Sequence, residues 1–478
     1  MVVHYSEGTL KSISTDSSIS KTRSKRPFIV LGFLLIAFLA AMLTVYNQIN
    51  ANNKICATPY CAKAAKYLIE SIDETVDPCG DFYQFVCGTW IKNSRTPNDS
   101  TILALLQTKL DDSIIDILTS SSTNDTNELK AIINASNFYH SCINEQHIED
   151  EDINRILSLI NNEFGGWPIT QSSWDNSTFD LLNLLLKLRK YQNNIIFDIG
   201  TSINDKNSTE YALGIGQGGL GLGEREYYMN ESKITVAYRR CMFDLASILS
   251  NDTSTIEQDV NDMYEFEKEL AKHYWTSVEQ RLRSNATIRT TVGKLRQLFN
   301  TTFDFTNYLT SAYASTNVTL MDSDLVIVEE TDYLYNVSSI IEQVSPRILQ
   351  NYVIWRFMMN LIGALPKRFR SIKDNFDHVF RGTTTEQART VICGRFVNSV
   401  MGFAISKLYI KKYFDDNARN QTLEMIANLR KVFIDMLENS TWMDSMSKTK
   451  AIEKALAIDE QIGYPDYLGS DNVTELEI

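Results

Sequence analysis

Histidine is scarce in this 478-residue chain: there are five, His4, His140, His147, His273 and His378, none followed by glutamate and no two of them four positions apart. A helix-borne zinc hydrolase site needs His-Glu-x-x-His, which sets two imidazoles on one face with a carboxylate beside the metal-bound water. That chemistry is excluded from these residues. Cationic residues are also in deficit, with 46 Lys and Arg against 59 Asp and Glu and a net charge of −13. The one dense basic cluster, Lys21, Arg23, Lys25 and Arg26, is confined to the N-terminal tail, so a nucleic-acid-binding face is excluded. Proline numbers only eight, without a proline-rich linker, and no internal repeat is visible, which excludes a solenoid or a jointed array.

Long uncharged apolar runs are absent too, with one exception. Phe28 to Val45 carries 18 residues without a charge, and at the helical rise these reach roughly 27 Å, enough to cross a bilayer. Lys11, Lys21, Arg23, Lys25 and Arg26 precede the run and the first cation after it is Lys54, so the charge bias predicts a cytosolic N-terminus. The run exceeds the apolar region of a cleaved signal and shows no small-x-small site after it, which favours an uncleaved anchor. The sequence therefore predicts a single-pass type II protein of the plasma membrane, with its ectodomain outside the cell.

What is abundant fits that side of the membrane. Glycosylation sequons stand at Asn98, Asn124, Asn134, Asn176, Asn207, Asn230, Asn251, Asn285, Asn300, Asn317, Asn336, Asn420, Asn439 and Asn472, and none precedes the apolar run. Composition alone gives about six, so the excess points to lumenal exposure. The seven cysteines are Cys56, Cys61, Cys79, Cys87, Cys142, Cys241 and Cys393. In an oxidising compartment they read as a disulfide framework with at least one thiol lacking an internal partner. Cys56 and Cys61 are near enough to bridge locally, and spacing leaves the rest open.

Beyond residue 60 the dominant period is helical. Segments 179–191, 234–249 and 352–365 place apolar residues at three- and four-residue spacing. Thr383 to Glu386 reads as a capping box opening a helix through Cys393 to about Tyr409, and Ser447 to Ile462 is the last patterned helix before Gly463 and Pro465. A β-hairpin is expected from 195–199 and 210–213 around a turn-rich stretch. The fold class expected is mainly α: an N-terminal transmembrane helix followed by a large helical ectodomain lobe with a small hairpin. The divisions are a cytosolic tail (1–26), the anchor (27–46), a short linker (47–55), the lobe (56–468) and a polar end (469–478).

Several long stretches together resemble the neprilysin and endothelin-converting enzyme family of membrane-anchored zinc metalloendopeptidases. They are CATPYCAKAAKYLIESIDETVDPCGDFYQFVCGTW (56–90), NFYHSCINEQHIE (137–149), GGWPI (165–169), QGGLGLGEREYY (217–228), LQNYVIWR (349–356) and WMDSMSKTKAIEKALAIDEQIGYPD (442–466). The resemblance implies the N-terminal, access-restricting lobe of a peptidase acting on peptides of modest size, with the zinc site in a C-terminal third that this sequence does not contain. No cofactor is expected in this chain, and one zinc in a complete member. The resemblance further implies that Cys142 pairs with Cys393, and that Cys79 and Cys87 reach partners in the missing region. Cys241 lacks the family's partner, since Lys233 stands near that place. The substrate-binding arginine the family carries just after the position of Pro97 is absent, because Asn98-Asp99-Ser100-Thr101 leads straight on. Gly216 and Gly223 replace the family's usual Asp and Pro, a change expected to loosen the glycine-rich loop.

Two other clusters carry ligand-type residues. His140, Cys142, Glu145, His147 and Glu149 could gather a metal, but the acids read as a solvated face, and Glu269 with His273 suits an ordinary ion pair along a helix. Gly214 to Gly219 fits G-x-G-x-x-G, a weak dinucleotide signal when it stands alone. The expected partners are a membrane and peptide substrates, with no nucleic acid. A second functional reading is a noncatalytic surface protein that binds peptides or dimerises, with itself or with an intact relative.

Overall fold

The computed structural model describes residues 42, 58–93, 101–120, 129–171, 173–250, 252–283, 287–314, 316, 318–382 and 387–469. The chain divides into two compact units, 1–108 and 109–478. In the first, α1 (Pro59–Ser71) opens with Thr58 capping the Cys61 N–H and proline at its first turn, where a missing N–H costs nothing. It packs against α2 (Phe82–Asn93) through Asp73, whose N–H donates to the Phe85 carbonyl at 2.7 Å and whose carboxylate pairs with Lys92 at 2.5 Å.

The second unit is mainly helical. The chain enters it within α3 (Ile102–Ser120) and continues through α4 (Lys130–Ile143), α5 (Glu145–Glu151), α6 (Asn154–Glu163) and α7 (Leu181–Arg189). After the hairpin strands β1 (Phe197–Ile203) and β2 (Tyr211–Gln217) come α8 (Lys233–Leu249), α9 (Ile256–His273) and α10 (Ser277–Leu282). Strand β3 (Ile288–Thr291), α11 (Val292–Leu298), α12 (Phe305–Ala314) and β4 (Leu325–Val328) lead to α13 (Thr331–Gln343) and α14 (Pro346–Leu361). The rest is α15 (Lys367–Arg381), α16 (Arg389–Tyr413), α17 (Asp416–Asn439), α18 (Ser445–Leu456) and the short α19 (Asp466–Gly469). Local chemistry sets several starts: Ser232 and Thr235 form a reciprocal box at α8, Thr276 and Glu279 another at α10, and Asp180 caps α7.

Helix α14 occupies the centre of the larger of two apolar cores. Every residue from Leu349 to Met358 is buried, so this stretch of the helix has no solvent face and no amphipathic stripe. Full burial of each large apolar side chain contributes roughly 1.5–3 kcal/mol, which makes α14 the element around which the others assemble. The second core gathers Ile114, Leu118, Ala135, Tyr139, Val397 and Ile405 from α3, α4 and α16 around the Cys142–Cys393 disulfide.

Two features of the expected fold class are corrected. The hairpin is not an isolated pair: β1 and β2 are antiparallel, but β2 also pairs in parallel with β4 and β4 antiparallel with β3, in the order β1-β2-β4-β3. The added strands are four residues each, too short to show period-two patterning, and β4 meets β2 across more than a hundred residues of chain. The membrane-helix expectation is also overturned. Among the described residues, the helix long and apolar enough to cross a bilayer is α16, in the C-terminal part of the chain, whereas residues 28–45, apart from Met42, lie outside the described residues. Helix α16 leaves helical geometry at Met401, is bonded to α4 by the disulfide, and sets Arg395 on buried Asp111 at 2.6 Å, as a helix of a folded lobe does. The expected capping box at 383–386 lies outside the described residues, and α16 starts with Ala388 at its N-cap. The last patterned helix ends at Leu456, six residues short of expectation.

Candidate functional site

Because α14 is buried all round from Leu349 to Met358, its polar residues must find partners or forfeit their hydration. They find them in stretches distant along the chain. Gln350 donates its amide to the carbonyls of Phe164 at 2.7 Å and Gly166 at 2.6 Å, holding the Gly165-Gly166-Trp167 turn. Asn351 accepts the Ile169 N–H at 2.8 Å and donates to Asp259 at 3.2 Å, while Arg347 clamps the same carboxylate at 2.8 and 2.6 Å. Arg356 donates to the Gly219 carbonyl at 2.6 Å and to Glu267 at 3.2 Å. Two of the stretches on which the family resemblance rests, 165–169 and 217–228, thus converge on a third, 349–356.

Glu267 is the hub's anion and is wholly buried. Its Oε1 accepts from the Gly221 N–H at 2.7 Å, the Tyr352 hydroxyl at 3.0 Å and Arg356, while its Oε2 has no hydrogen-bond partner. Tyr238 accepts from the Trp355 indole at 2.9 Å, and Tyr228 accepts the Leu222 N–H at 3.0 Å. Burial and the Glu267 carboxylate hold the phenols of Tyr228, Tyr238 and Tyr352 protonated well above their ordinary range. Burial works against the Arg356 cation, but Tyr352 and Glu267 outweigh it and keep the guanidinium charged. The glycine-rich loop can approach this closely only without a side chain: a Cβ at Gly221 would lie 1.9 Å from the Tyr238 hydroxyl oxygen.

A second clasp lies one strand away. Gln217 both accepts the Trp275 N–H and donates to its carbonyl, each at 2.8 Å, and its own N–H donates to Glu330 at 3.0 Å. Glu330 sits in left-handed backbone (φ 41°) at the start of α13 and also accepts from Gln280 at 3.1 Å. Burial, with Glu329 and Asp198 nearby, raises its pKa. A Cβ at Gly216 would fall 2.7 Å from the Glu330 carboxylate. A side chain at 216 would therefore meet the carboxylate that holds the Gln217 N–H.

Apart from the Oε2 of Glu267, the carboxylates of these clasps are held by hydrogen bonds from distant parts of the chain, an arrangement that positions loops. Among the described residues no group of three or more His, Cys, Asp or Glu gathers as a metal site. The cluster around His140 is spent otherwise: Cys142 is in a disulfide, Glu145 pairs with Arg370 at 2.5 Å and Glu149 accepts the Lys367 N–H at 2.6 Å. Glu269 pairs with Lys272 rather than with His273. The donor set does not fit zinc. The Gly214 to Gly219 stretch lies in and just after β2, not at the entrance to a helix, so the nucleotide-loop geometry is missing.

Cys142 and Cys393 are bonded, with Cα atoms 5.8 Å apart, and Cys61 is disulfide-bonded, while Cys56 lies outside the described residues. Cys79 is an exposed free thiol, Cys87 a half-buried one, and Cys241 a buried one whose pKa burial pushes up to about 12. Of the sequons, Asn134, Asn176, Asn207, Asn230, Asn300, Asn420 and Asn439 are exposed and Asn336 is half-buried. Asn98, Asn124, Asn251, Asn285, Asn317 and Asn472 lie outside the described residues. Sequence reasoning missed Glu267, Glu330 and the Arg356 ion pair. The available signal was the four-residue spacing of Tyr352 and Arg356 inside an otherwise apolar helix.

Comparison with known proteins places this geometry. Residues 78–465 match the sequence model of Peptidase family M13. Membrane metallo-endopeptidase-like 1 of Mus musculus is 32% identical over 443 residues, covering 88% of this chain and 57% of its own length. Neprilysin of Homo sapiens is 29% identical over 467 residues, covering 93% of this chain and 61% of its own. The crystal structure of Mycobacterium tuberculosis zinc metalloprotease Zmp1 in complex with inhibitor superposes with a TM-score of 0.65 at 19% identity, over 81% of this chain and 57% of that one. The Haemonchus galactose-containing glycoprotein complex gives 0.62 at 17%, over 87% and 59%. At those identities the two structures speak to the fold alone. The chain thus spans about three fifths of the length of the relatives it matches.

Proposed function

Since this chain belongs to peptidase family M13, we propose that it is the N-terminal, access-restricting lobe of a neprilysin-like zinc metalloendopeptidase, displayed outside the cell at the plasma membrane. The observation that carries the reading is the pairing of a family match over 78–465 with coverage of only 57–61% of the relatives' length. The sequence holds no His-Glu-x-x-His, so peptide hydrolysis belongs to the remainder of a family-length protein, which would hold one zinc. This chain's part is to shape and narrow the approach to that site, and the buried hub around α14 keeps the loops of the lobe in register. The free thiols of Cys79 and Cys87 are reserved for partners in that remainder, and the exposed sequons and the disulfide suit an oxidising, glycosylating compartment.

The test is the transcript 3′ of the codon for Ile478, read together with the state of the expressed protein. The expected result is an open frame that continues into a His-Glu-x-x-His helix. A transcript that stops at Ile478, with the protein on the cell surface and Cys79 and Cys87 paired, would instead establish a noncatalytic surface protein that binds peptides or dimerises.

A further inference from the structure

The loop that joins β1 to β2 is shaped by its own hydrogen bonds. The Asn204 N–H donates to the Glu210 carbonyl at 2.9 Å, and two successive turns close as Asn207 donates to the Asn204 carbonyl and Glu210 to the Asn207 carbonyl, each at 3.0 Å. Arg289 of β3 donates to Asp205 and Asn204, which ties the loop to another strand of the sheet. Asn207 opens the sequon Asn207-Ser208-Thr209, and its Oδ1 accepts from the Thr209 N–H at 3.3 Å and from the Thr209 hydroxyl at 2.8 Å. With the oxygen turned back onto Thr209, the Nδ2 of this exposed residue points away from it. At Asn134, Asn336 and Asn420 the sequon hydroxyls are instead spent on helix carbonyls: Ser136 donates to Leu118, Ser338 to Leu334 and Thr422 to Ala418. At the base of the loop Ile203 and Tyr211 pair directly across the two strands, and they are 60% and 75% exposed. Directly opposed residues share one face of a hairpin, so the two form a single apolar step.

We propose that Asn207 carries an N-linked glycan whose first sugars lie on the Ile203–Tyr211 step, so that this sequon supplies a cover for the end of the hairpin. The inference rests on the proposed reading of the lobe as lying outside the cytosol. The new bond joins the Asn207 Nδ2 to the anomeric carbon of a sugar chain delivered on a lipid pyrophosphate. The anomeric C–O bond to the pyrophosphate breaks, and one amide proton leaves with it. The hydrogen-bonded turn keeps the Cα atoms of Asn207 and Glu210 within about 7 Å and the next residue adds about 3.8 Å, so the attachment point stands at most about 11 Å from the Cα of Tyr211. Covalent attachment at that range holds the sugar at high effective concentration over the ring. The C–H face of an N-acetylhexosamine packs on the electron-rich face of the phenol and on Ile203, while its hydroxyls stay in water. The turns and Arg289 already hold the loop, so little ordering is left to oppose the contact. Two side chains are far less than the surface a specific protein interface buries, which disfavours a protein partner here.

The test expresses the full chain in cells that glycosylate, nitrates the folded protein, and reads by mass spectrometry the tryptic peptide ending at Arg225, which carries both the sequon and Tyr211. The expected result is that Asn207 is occupied, and that Tyr211 on the glycosylated peptide is nitrated about fivefold more slowly than in Thr209→Val, which has no sequon there. Tyr83, 63% exposed, should react equally in both. Thr209→Ser, which keeps the sequon, should keep the slow rate. Enzymatic removal of the glycan from the folded wild type should raise the rate to that of Thr209→Val, and it decides the matter if that variant fails to fold. Equal rates with and without the glycan would overturn the inference. Slow nitration in Thr209→Val would also overturn it, by showing that protein covers the ring. A bare Asn207 beside glycans at other sequons would overturn it while leaving the compartment reading intact, whereas glycans at no sequon would overturn both.

Discussion

At the residue scale, the lobe depends on side chains that are absent as much as on those present. Gly221 brings the loop N–H to Glu267, and a methyl group there meets the hydroxyl of the fully buried Tyr238, to which Trp355 donates. Gly221→Ala is expected to cost about 3 kcal/mol, checked by urea denaturation of the purified chain, whereas a loop glycine without such a neighbour would cost far less. Glu330 gives a pH dependence of definite sign. Its folded pKa lies above the unfolded value, because burial and nearby acids oppose its charge. Its contribution to stability is therefore fully present below the unfolded pKa and lost as pH rises through the folded one. Wild type should gain stability relative to Glu330→Gln as the pH falls towards the ordinary carboxylate range, in paired thermal melts. Neither residue was legible as a site in the sequence, since what matters at Gly216 and Gly221 is the atom opposite, and that atom comes from far along the chain.

At the element scale, the sequence was most readable where local chemistry decides. Helices α7 and α8 follow their apolar spacing, and each begins at a capping side chain. The sheet was half visible, because the hairpin register is local while β3 and β4 are joined to it by tertiary pairing. Helix α14 shows why a motif can be recognised without being understood: its apolar residues hide any stripe, and Gln350, Asn351 and Arg356 look misplaced until two distant loops and α9 reach them. The Arg356–Glu267 pair predicts an asymmetric mutant cycle. Arg356→Met, which strands a buried carboxylate, should destabilise by about 3–5 kcal/mol, and adding Glu267→Gln should recover part of that loss. Additive effects of the two substitutions in denaturant titrations would contradict a direct ion pair.

At the scale of the whole molecule, the chain belongs to a peptidase family and its sequence holds no His-Glu-x-x-His stretch. Its larger apolar core is built around the buried Arg356–Glu267 pair and the tyrosines that surround it. The long helix α17 is mostly uncovered, and two thiols in the first unit stay free. Family membership was legible in the sequence because long stretches recur in order; the location of the uncovered surface was not, since it depends on which face of α17 its neighbour α18 takes. The most direct measurement is metal analysis of the purified full chain, paired with cleavage of a fluorogenic peptide with and without chelator. The expected result is no stoichiometric zinc and no chelator-sensitive cleavage. One tightly bound zinc per chain with chelator-sensitive peptidase activity would contradict the reading of this chain as a noncatalytic lobe.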